Sequence, residues 1–208
     1  MINSPTPILV TKDHPARAQV KALIAGVYAH EYAATVTTFA DLLIALPNPN
    51  GDGFCAAAGL RVGGDFFSEA YLDQPIETVL SKCWQPPATR DEIAEVTTLA
   101  AIHPNASHAL FSAITGHLRG LDVRFAFFTV TERLAHMLKR VGVPAMELAE
   151  ARADRVANGA DWGHYYATNP KVMAIHDAFV TVPAMAPAAI GEATVREQSS
   201  AQKVAGVA

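Results

Sequence analysis

The sequence predicts a single α/β domain with a mixed central sheet flanked by helices. Three observations predict it. Two strand-like runs, Asp41–Leu46 and Phe54–Val62, are joined by the turn-rich segment Pro47-Asn48-Pro49-Asn50-Gly51-Asp52-Gly53, which reads as an antiparallel hairpin. Val123–Thr131 is nearly all apolar, the pattern of a strand covered on both faces. Between and after these runs the apolar period switches to that of helices, so an antiparallel front half feeds a β-α-β-α back half.

The elements run in order. Ile8–Thr11 reads as a short first strand. Val20, Leu23, Ile24, Val27 and Tyr28 keep helical spacing, with Asp13 and Pro15 supplying a start. Thr35–Phe39 extends that helix or begins a second helical turn. After the hairpin, Gly63-Gly64-Asp65 ends the strand, and Pro75 opens a short helix over Pro75–Lys82. Gln85-Pro86-Pro87 breaks it. Ile93–Ala101 is the next strand and Ser107–Arg119 the next helix, with Leu110, Phe111, Ile114 and Leu118 on one face. Arg133–Val141 comes after the apolar strand as a helix that Gly142 ends. Ala145–Leu148 and Val172–Ile175 read as the last strands. Residues 1–177 form the domain; residues 178–208 turn to Ala, Pro, Val, Ser and Gln without sustained periodicity and read as a loosely ordered tail.

Composition narrows the function. At 208 residues, half apolar and 17% charged, the chain is long enough to bury a core. A net charge of −4 without blocks of like charge gives no nucleic-acid footprint. No apolar run approaches the roughly 18 residues of a membrane span. The first residues lack the basic start and apolar core of a secretory signal, so the expectation is a soluble, cytoplasmic protein. Cys55 and Cys83 suggest no disulfide framework. The eight histidines show no ligand spacing beside a carboxylate motif, so no metal is expected.

Three strings hold the chemistry: Phe66–Glu77, Arg90–Ala100 and Asp161–Val172. Each places carboxylates, hydroxyls or phenols at strand ends or in loops, where reactive groups gather. Together with Gly59 and Arg61 in the hairpin and Thr129 and Thr131 after the apolar strand, these strings resemble the thermostable hemolysin family of bacterial proteins. The matching positions are Glu69, Tyr71-Leu72, Pro75, Glu77, Arg90, Glu95, Leu99-Ala100, Trp162-Gly163, Tyr165-Tyr166, Pro170 and Val172. The likeness runs from about Ala16 to Ile175. One departure stands out: where the family's central strand has Gly-Asn, this chain has Thr97-Thr98.

The element order is similar to the GNAT acyltransferase fold, above all to its acyl-homoserine-lactone synthase branch. That resemblance implies an acyl-thioester site between Ile93–Ala101 and Val123–Thr131. His103-Pro104-Asn105-Ala106-Ser107-His108 replaces the glycine-rich pyrophosphate loop of ordinary acetyltransferases. The donor implied is therefore an acyl-carrier protein, or an acyl-CoA held in a different way, with no tightly bound cofactor. The Arg that follows the strand Glu in the lactone synthases is missing, so a lactone product is not expected.

Acyl transfer to an amine needs loss of a proton, donors for an oxyanion and a departing thiolate. Strand alternation puts Glu95 with Ile93, Thr97 and Leu99, where apolar neighbours would raise its pKa; it is a base or amine anchor, or else a structural partner of Arg61 or Arg90. Glu69 orients an acceptor, with Tyr71 as an aromatic floor, or is a loop carboxylate paired with an Arg. Arg61 and Arg90 bind a substrate carboxylate or pair with Glu69 and Glu95. Trp162, Tyr165 and Tyr166 close a pocket, Tyr165 donating to sulfur or oxyanion, or simply pack at the sheet end. Thr97, Thr98, Thr129 and Thr131 contact substrate or reflect β-propensity alone. Phe125, Phe127 and Phe128 wall a fatty chain or fill the core. Arg133, Lys139 and Arg140 dock CoA phosphates or an acidic carrier protein, or form a solvated face. The function expected is transfer of an acyl group, fatty in character, to the amine of a small molecule; the alternatives are a membrane-active haemolytic protein or a non-catalytic binding module of the same shape.

Overall fold

The computed structural model describes residues 6–140 and 142–176. The tail predicted for 178–208 and the predicted helix end at Val141 lie outside these residues. Seven strands form one sheet: β1 (Ile8–Val10), β2 (Leu42–Pro47), β3 (Phe54–Val62), β4 (Ile93–Ala101), β5 (Phe125–Val130), β6 (Met146–Glu150) and β7 (Lys171–His176). Their order is β1-β2-β3-β4-β5-β7-β6. Among the described residues β4 and β5 are the parallel pair, and the other pairings are antiparallel. This is the mixed sheet that the sequence predicts.

Side-chain alternation divides the core into two layers. Leu43 and Ala45 of β2 face one way, with Val20, Ile24 and Tyr28 of helix α1 (Arg17–Tyr32). Ile76 and Leu80 of α2 (Ile76–Cys83) continue that layer over Ile93, Phe125 and Phe127. Ile44 and Leu46 face the other way, with Leu110, Ile114 and Leu118 of α3 (Pro104–Arg119) and Leu138 of α4 (Glu132–Arg140).

Most predicted elements shift by a residue or two at their ends, and two differ more. Thr35–Phe39 has no helical turn. Ala33 takes the left-handed conformation (φ 53°), donates to the Ala29 carbonyl, and Ala34 donates to that of Tyr28, so α1 stops there. The Thr35 amide then pairs with Asp161 O at 2.6 Å. Helix α3 begins three residues before the predicted Ser107. His103 is its N-cap: the imidazole Nδ1 accepts from Ala106 N at 3.0 Å, and a proline occupies the first helical position.

The central strands carry an irregularity. Gly59 pairs with Thr97 but Ala57 pairs with Ala100, so two residues of β4 oppose one of β3. Thr98 sits in this bulge at φ 48°. It is buried and its hydroxyl has no hydrogen-bond partner among the described residues. A β-branched side chain in the left-handed region is strained. Gly59 is required opposite: a Cβ there would stand 2.8 Å from Thr97 Cγ2 and 3.0 Å from Ala40 Cβ. On its other side β4 pairs with β5 only from Ile93–Phe125 to Val96–Phe128, and then the two strands part.

An unpaired buried hydroxyl costs stability that an isosteric methyl restores. Thr98→Val is expected to stabilise the fold by about 1 kcal/mol, or roughly 2–4 °C in Tm. A lower melting temperature by calorimetry would show that the hydroxyl has a partner after all.

Candidate functional site

Where β4 and β5 part, a cleft of about 930 Å³ opens. That is the size of a small-molecule site. Its walls come from four directions. The end of α1 supplies Tyr28, Glu31 and Tyr32; β4 supplies Leu99, Ala101 and, just past its end, the exposed Ile102; β5 supplies Thr129 and Val130, with Thr131 just beyond. The start of α3 adds His103, Ser107 and His108, and α4 adds Arg133, Leu134, His136, Met137 and Arg140. Tyr165 closes the floor. The cleft therefore has an apolar stripe, a rim rich in cations and imidazoles on the α3–α4 side, and a phenolic wall on the α1 side.

Glu95 lies below this cleft rather than on it. Its side chain is fully buried and accepts three hydrogen bonds: from Arg61 Nη1 at 2.8 Å, Phe67 N at 2.8 Å and Ser68 N at 2.6 Å. The apolar surroundings expected for it are replaced by donors, and of the two Arg partners expected the structure contains Arg61. Charge-assisted bonds of this kind are strong and directional. They fix a 3₁₀ turn, Ser68–Tyr71, against the sheet. Ser68 Oγ in turn accepts from Thr129 Oγ1 at 2.9 Å, so Glu95 reaches the cleft wall through two intermediaries.

Glu69 and Arg90 hold each other. Arg90 Nη1 and Nη2 meet the two Glu69 oxygens at 2.8 and 2.6 Å, and Nη1 also meets Glu77 at 2.7 Å. Arg90 Nε donates to Gly64 O, and its guanidinium lies over the Phe66 ring. Glu69 also accepts from Ile76 N at the start of α2. The Arg90 guanidinium, and after it that amide, lowers the Glu69 pKa against the pull of burial. Both Glu69 oxygens are thus occupied in tying α2 to Arg90, and the Arg90 donors go to Glu69, Glu77 and Gly64 O.

The phenols are arranged differently. Tyr71 Oη and Tyr166 Oη share a hydrogen bond of 2.7 Å below the cleft. Tyr165 is buried and lines the cleft, and its hydroxyl donates to Thr129 O over a long 3.5 Å. Burial, with the neighbouring tyrosines, drives its pKa well up, so it stays a neutral donor. Trp162 packs on Tyr165 and edge-on to Tyr28, with centroids 5.5 and 5.9 Å apart. These rings reach α1 because of Gly163: at φ 55°, its would-be Cβ stands 2.2 Å from Tyr32 O. His164 N, the next amide, donates to that same carbonyl at 2.9 Å.

Thr97 points toward Gly59 and Thr98 fills the bulge, while Thr129 and Thr131 border the cleft. Thr131 Oγ1 accepts from Leu134 N at 3.4 Å. Arg133 and Arg140 line the rim; Lys139, on the same helix, does not. Phe125 and Phe127 are fully buried in the core. Glu31 and Tyr32 join the site without any sequence signal that marks them for it, whereas His103 and His108 belong to the stretch that stands in place of the pyrophosphate loop. Among the described residues no group of three or more His, Cys, Asp or Glu could hold a metal ion.

Comparison with known proteins agrees with this architecture. The family model for thermostable hemolysin matches residues 10–179, and the chain belongs to that family. No curated protein matches the sequence. Among solved structures, the chain is similar to FeeM, an N-acyl amino acid synthase from uncultured soil microbes, with TM-score 0.54, 14% identity, and 83% of this chain and 92% of that one covered. It is also similar to the AHL synthase LasI, with TM-score 0.53, 10% identity and coverage of 83% and 91%. TofI in an apo form gives TM-score 0.53 at 14% identity, covering 82% and 90%. At these identities the likeness is one of fold, and the fold is GNAT-like, as the resemblance read from the sequence implies.

Glu95 answers to a structural test. Glu95→Gln leaves Arg61 without its counter-charge and turns an amide nitrogen toward a donor. The expected loss is about 2–3 kcal/mol, or roughly 4–12 °C in Tm, with Arg61's partial exposure keeping it at the low end for a broken buried pair. An unchanged Tm would remove Glu95 as the anchor of the Ser68–Tyr71 turn.

Proposed function

We propose that this thermostable hemolysin family member is an N-acyltransferase, moving a fatty acyl group from a thioester donor to the amine of a small molecule. The observation that carries the reading is the parting of β4 and β5 into a cleft with an apolar stripe and a cationic rim. Beyond Val96, the edge of β4 that faces β5 has no strand partner among the described residues. A strand edge left open pairs with any extended amide chain laid beside it. The pantetheine arm of an acyl donor is such a chain. Leu99, Ile102, Leu134 and Met137 offer the acyl group an apolar surface.

The rim bears on the donor's carrier. In α3, residue 104 is a proline without an N–H, and the Ala106 N–H is taken by His103. Few amides are left at that helix start for a diphosphate. Arg133 and Arg140 then supply the positive charge, which suits a phosphopantetheine on an acidic carrier protein or a differently seated acyl-CoA. Among the structural neighbours, MesI is described as a CoA-dependent acyl-homoserine lactone synthase, so this type of fold accepts coenzyme A as donor.

In the reaction the amine nitrogen bonds to the thioester carbonyl carbon and the C–S bond breaks. Of the two protons the ammonium gives up, one ends on the departing sulfur and one passes to solvent. Tyr165, held neutral by burial and bonded at 3.5 Å to Thr129 O, relays the first, giving its own proton to the leaving sulfur as it takes one from the ammonium. Glu95 and Ser68 act indirectly, by fixing Thr129 at the wall. A surfactant-like acylated product accounts for a lytic phenotype without a spanning segment; among the described residues no helix is long and apolar enough to cross a membrane.

The test is incubation with palmitoyl-CoA or palmitoyl-acyl-carrier protein and a pool of amines, with mass spectrometry for an acylamide. Product is expected with at least one donor. Tyr165→Phe is expected to lower kcat on the order of a hundredfold with donor KM unchanged. Arg133→Ala with Arg140→Ala is expected to raise donor KM instead, by about tenfold. No acylamide from either donor, together with leakage of liposomes when no donor is present, would replace this reading with direct membrane lysis.

A further inference from the structure

The cleft is electrically divided, and, given acyl transfer as proposed above, that division bears on the chemistry of the acceptor. On the α3–α4 side stand Arg133, Arg140, His103, His108 and His136, with Glu132 among them. On the α1 side the charged group is a carboxylate, Glu31, one residue before Tyr32. Beside it three phenol rings meet: Tyr28 and Tyr32 with centroids 5.5 Å apart, Tyr32 and Tyr165 at 5.1 Å and 89°, Tyr28 and Tyr165 at 6.2 Å. Burial keeps these phenols protonated, so the cluster lining the cleft adds no charge of its own and acts through its ring quadrupoles. Glu31 is half exposed, and its carboxylate meets the exposed His30 at 3.0 Å.

Aromatic faces converging beside a carboxylate attract an organic cation. The attraction is stronger where water is thin, and Tyr28 and Tyr165 are nearly closed to solvent. We propose that the α1 wall of the cleft, formed by Glu31, Tyr28, Tyr32 and Tyr165, binds the ammonium of a primary amine that has no carboxylate of its own. The donor's phosphate takes the opposite, cationic rim. An α-amino acid held there by its ammonium would set its carboxylate against that of Glu31. The acceptor class is thus a simple alkyl or aryl amine.

Two tryptophans make this measurable without turnover. Trp162 packs on Tyr28 and Tyr165, and Trp84 sits apart on Phe125 and His176. In a Trp84→Phe chain, Trp162 fluorescence is titrated with n-butylamine and with norvaline, which is the same amine bearing a carboxylate. n-Butylamine is expected to bind at least about tenfold more tightly than norvaline. Glu31→Gln is expected to weaken n-butylamine about tenfold, Tyr32→Leu similarly, and Tyr32→Phe less than about threefold. Glu31 is at the surface, so Glu31→Gln remains informative if Tyr32→Leu fails to fold.

Norvaline binding as tightly as n-butylamine, or a Glu31→Gln chain that binds n-butylamine unchanged, would overturn the ammonium site. The same two amines, given with palmitoyl-CoA and palmitoyl-acyl-carrier protein, separate this inference from the activity beneath it. An acylamide formed on norvaline and not on n-butylamine keeps acyl transfer and removes the site. Tight n-butylamine binding with no acylamide on either keeps the site and removes the transfer.

Discussion

The carboxylate of Glu95, fully buried at the root of the parting strands, receives a guanidinium from β3 and two amides from the 3₁₀ turn beyond it. Two separate pieces of chain are thereby held to one side chain of a third. A charge taken out of water is tolerable only when its lone pairs are filled, and here the filling groups are the positioning device. The turn so fixed carries Ser68 to Thr129 and Tyr71 to Tyr166, and the cleft wall takes its shape from those contacts. Arg90 does the same work one layer out, clamping Glu69 and Glu77 so that α2 sits over the sheet. The two acid–base pairs act as rivets of the scaffold, and the open cleft inherits their rigidity.

The β4 strand makes the opening by being irregular on one edge and unpartnered on the other. Its bulge puts Thr98 in a conformation its β-branched side chain disfavours, with a hydroxyl that has no hydrogen-bond partner among the described residues. Strain of this kind persists where the surroundings over-determine the backbone. Here the surroundings are the β3 ladder, which resumes on both sides of the bulge at Gly59–Thr97 and Ala57–Ala100, while β5 has already left on the other edge. A regular β4 would continue its ladder toward Val130 and fill the space that the cleft occupies.

How much of the molecule is legible in its sequence depends on the range of the interactions concerned. The hairpin, the apolar fifth strand and the helical faces of α1, α3 and α4 are written in local periodicity, and the mixed sheet comes from their order. The roles of Glu69, Arg61 and Arg90 stay ambiguous at that level. A carboxylate or guanidinium looks the same whether its partner is a substrate or another side chain 21 residues away, as Glu69 is from Arg90. Thr35–Phe39 reads as helical because the cap that stops α1 uses Ala33, a residue with no preference for the left-handed region. His103 is hard to see for a similar reason: imidazole is an uncommon N-cap, and Ser107 looks the better start. Tyr28 and Tyr32, four residues apart, have the spacing of a buried stripe. Only the parting of β4 and β5 turns the end of that stripe into a wall, and no local pattern records where two distant strands cease to pair.

Topology carries a consequence for synthesis on the ribosome. Strand β7 lies between β5 and β6, and the Trp162–Tyr166 segment seats itself on the end of α1 through Asp161 O and His164 N. The chain's first hundred and fifty residues thus emerge with one sheet edge unclosed and the aromatic end of an early helix bare. Native closure of that edge waits until the segment ending at His176 has left the exit tunnel.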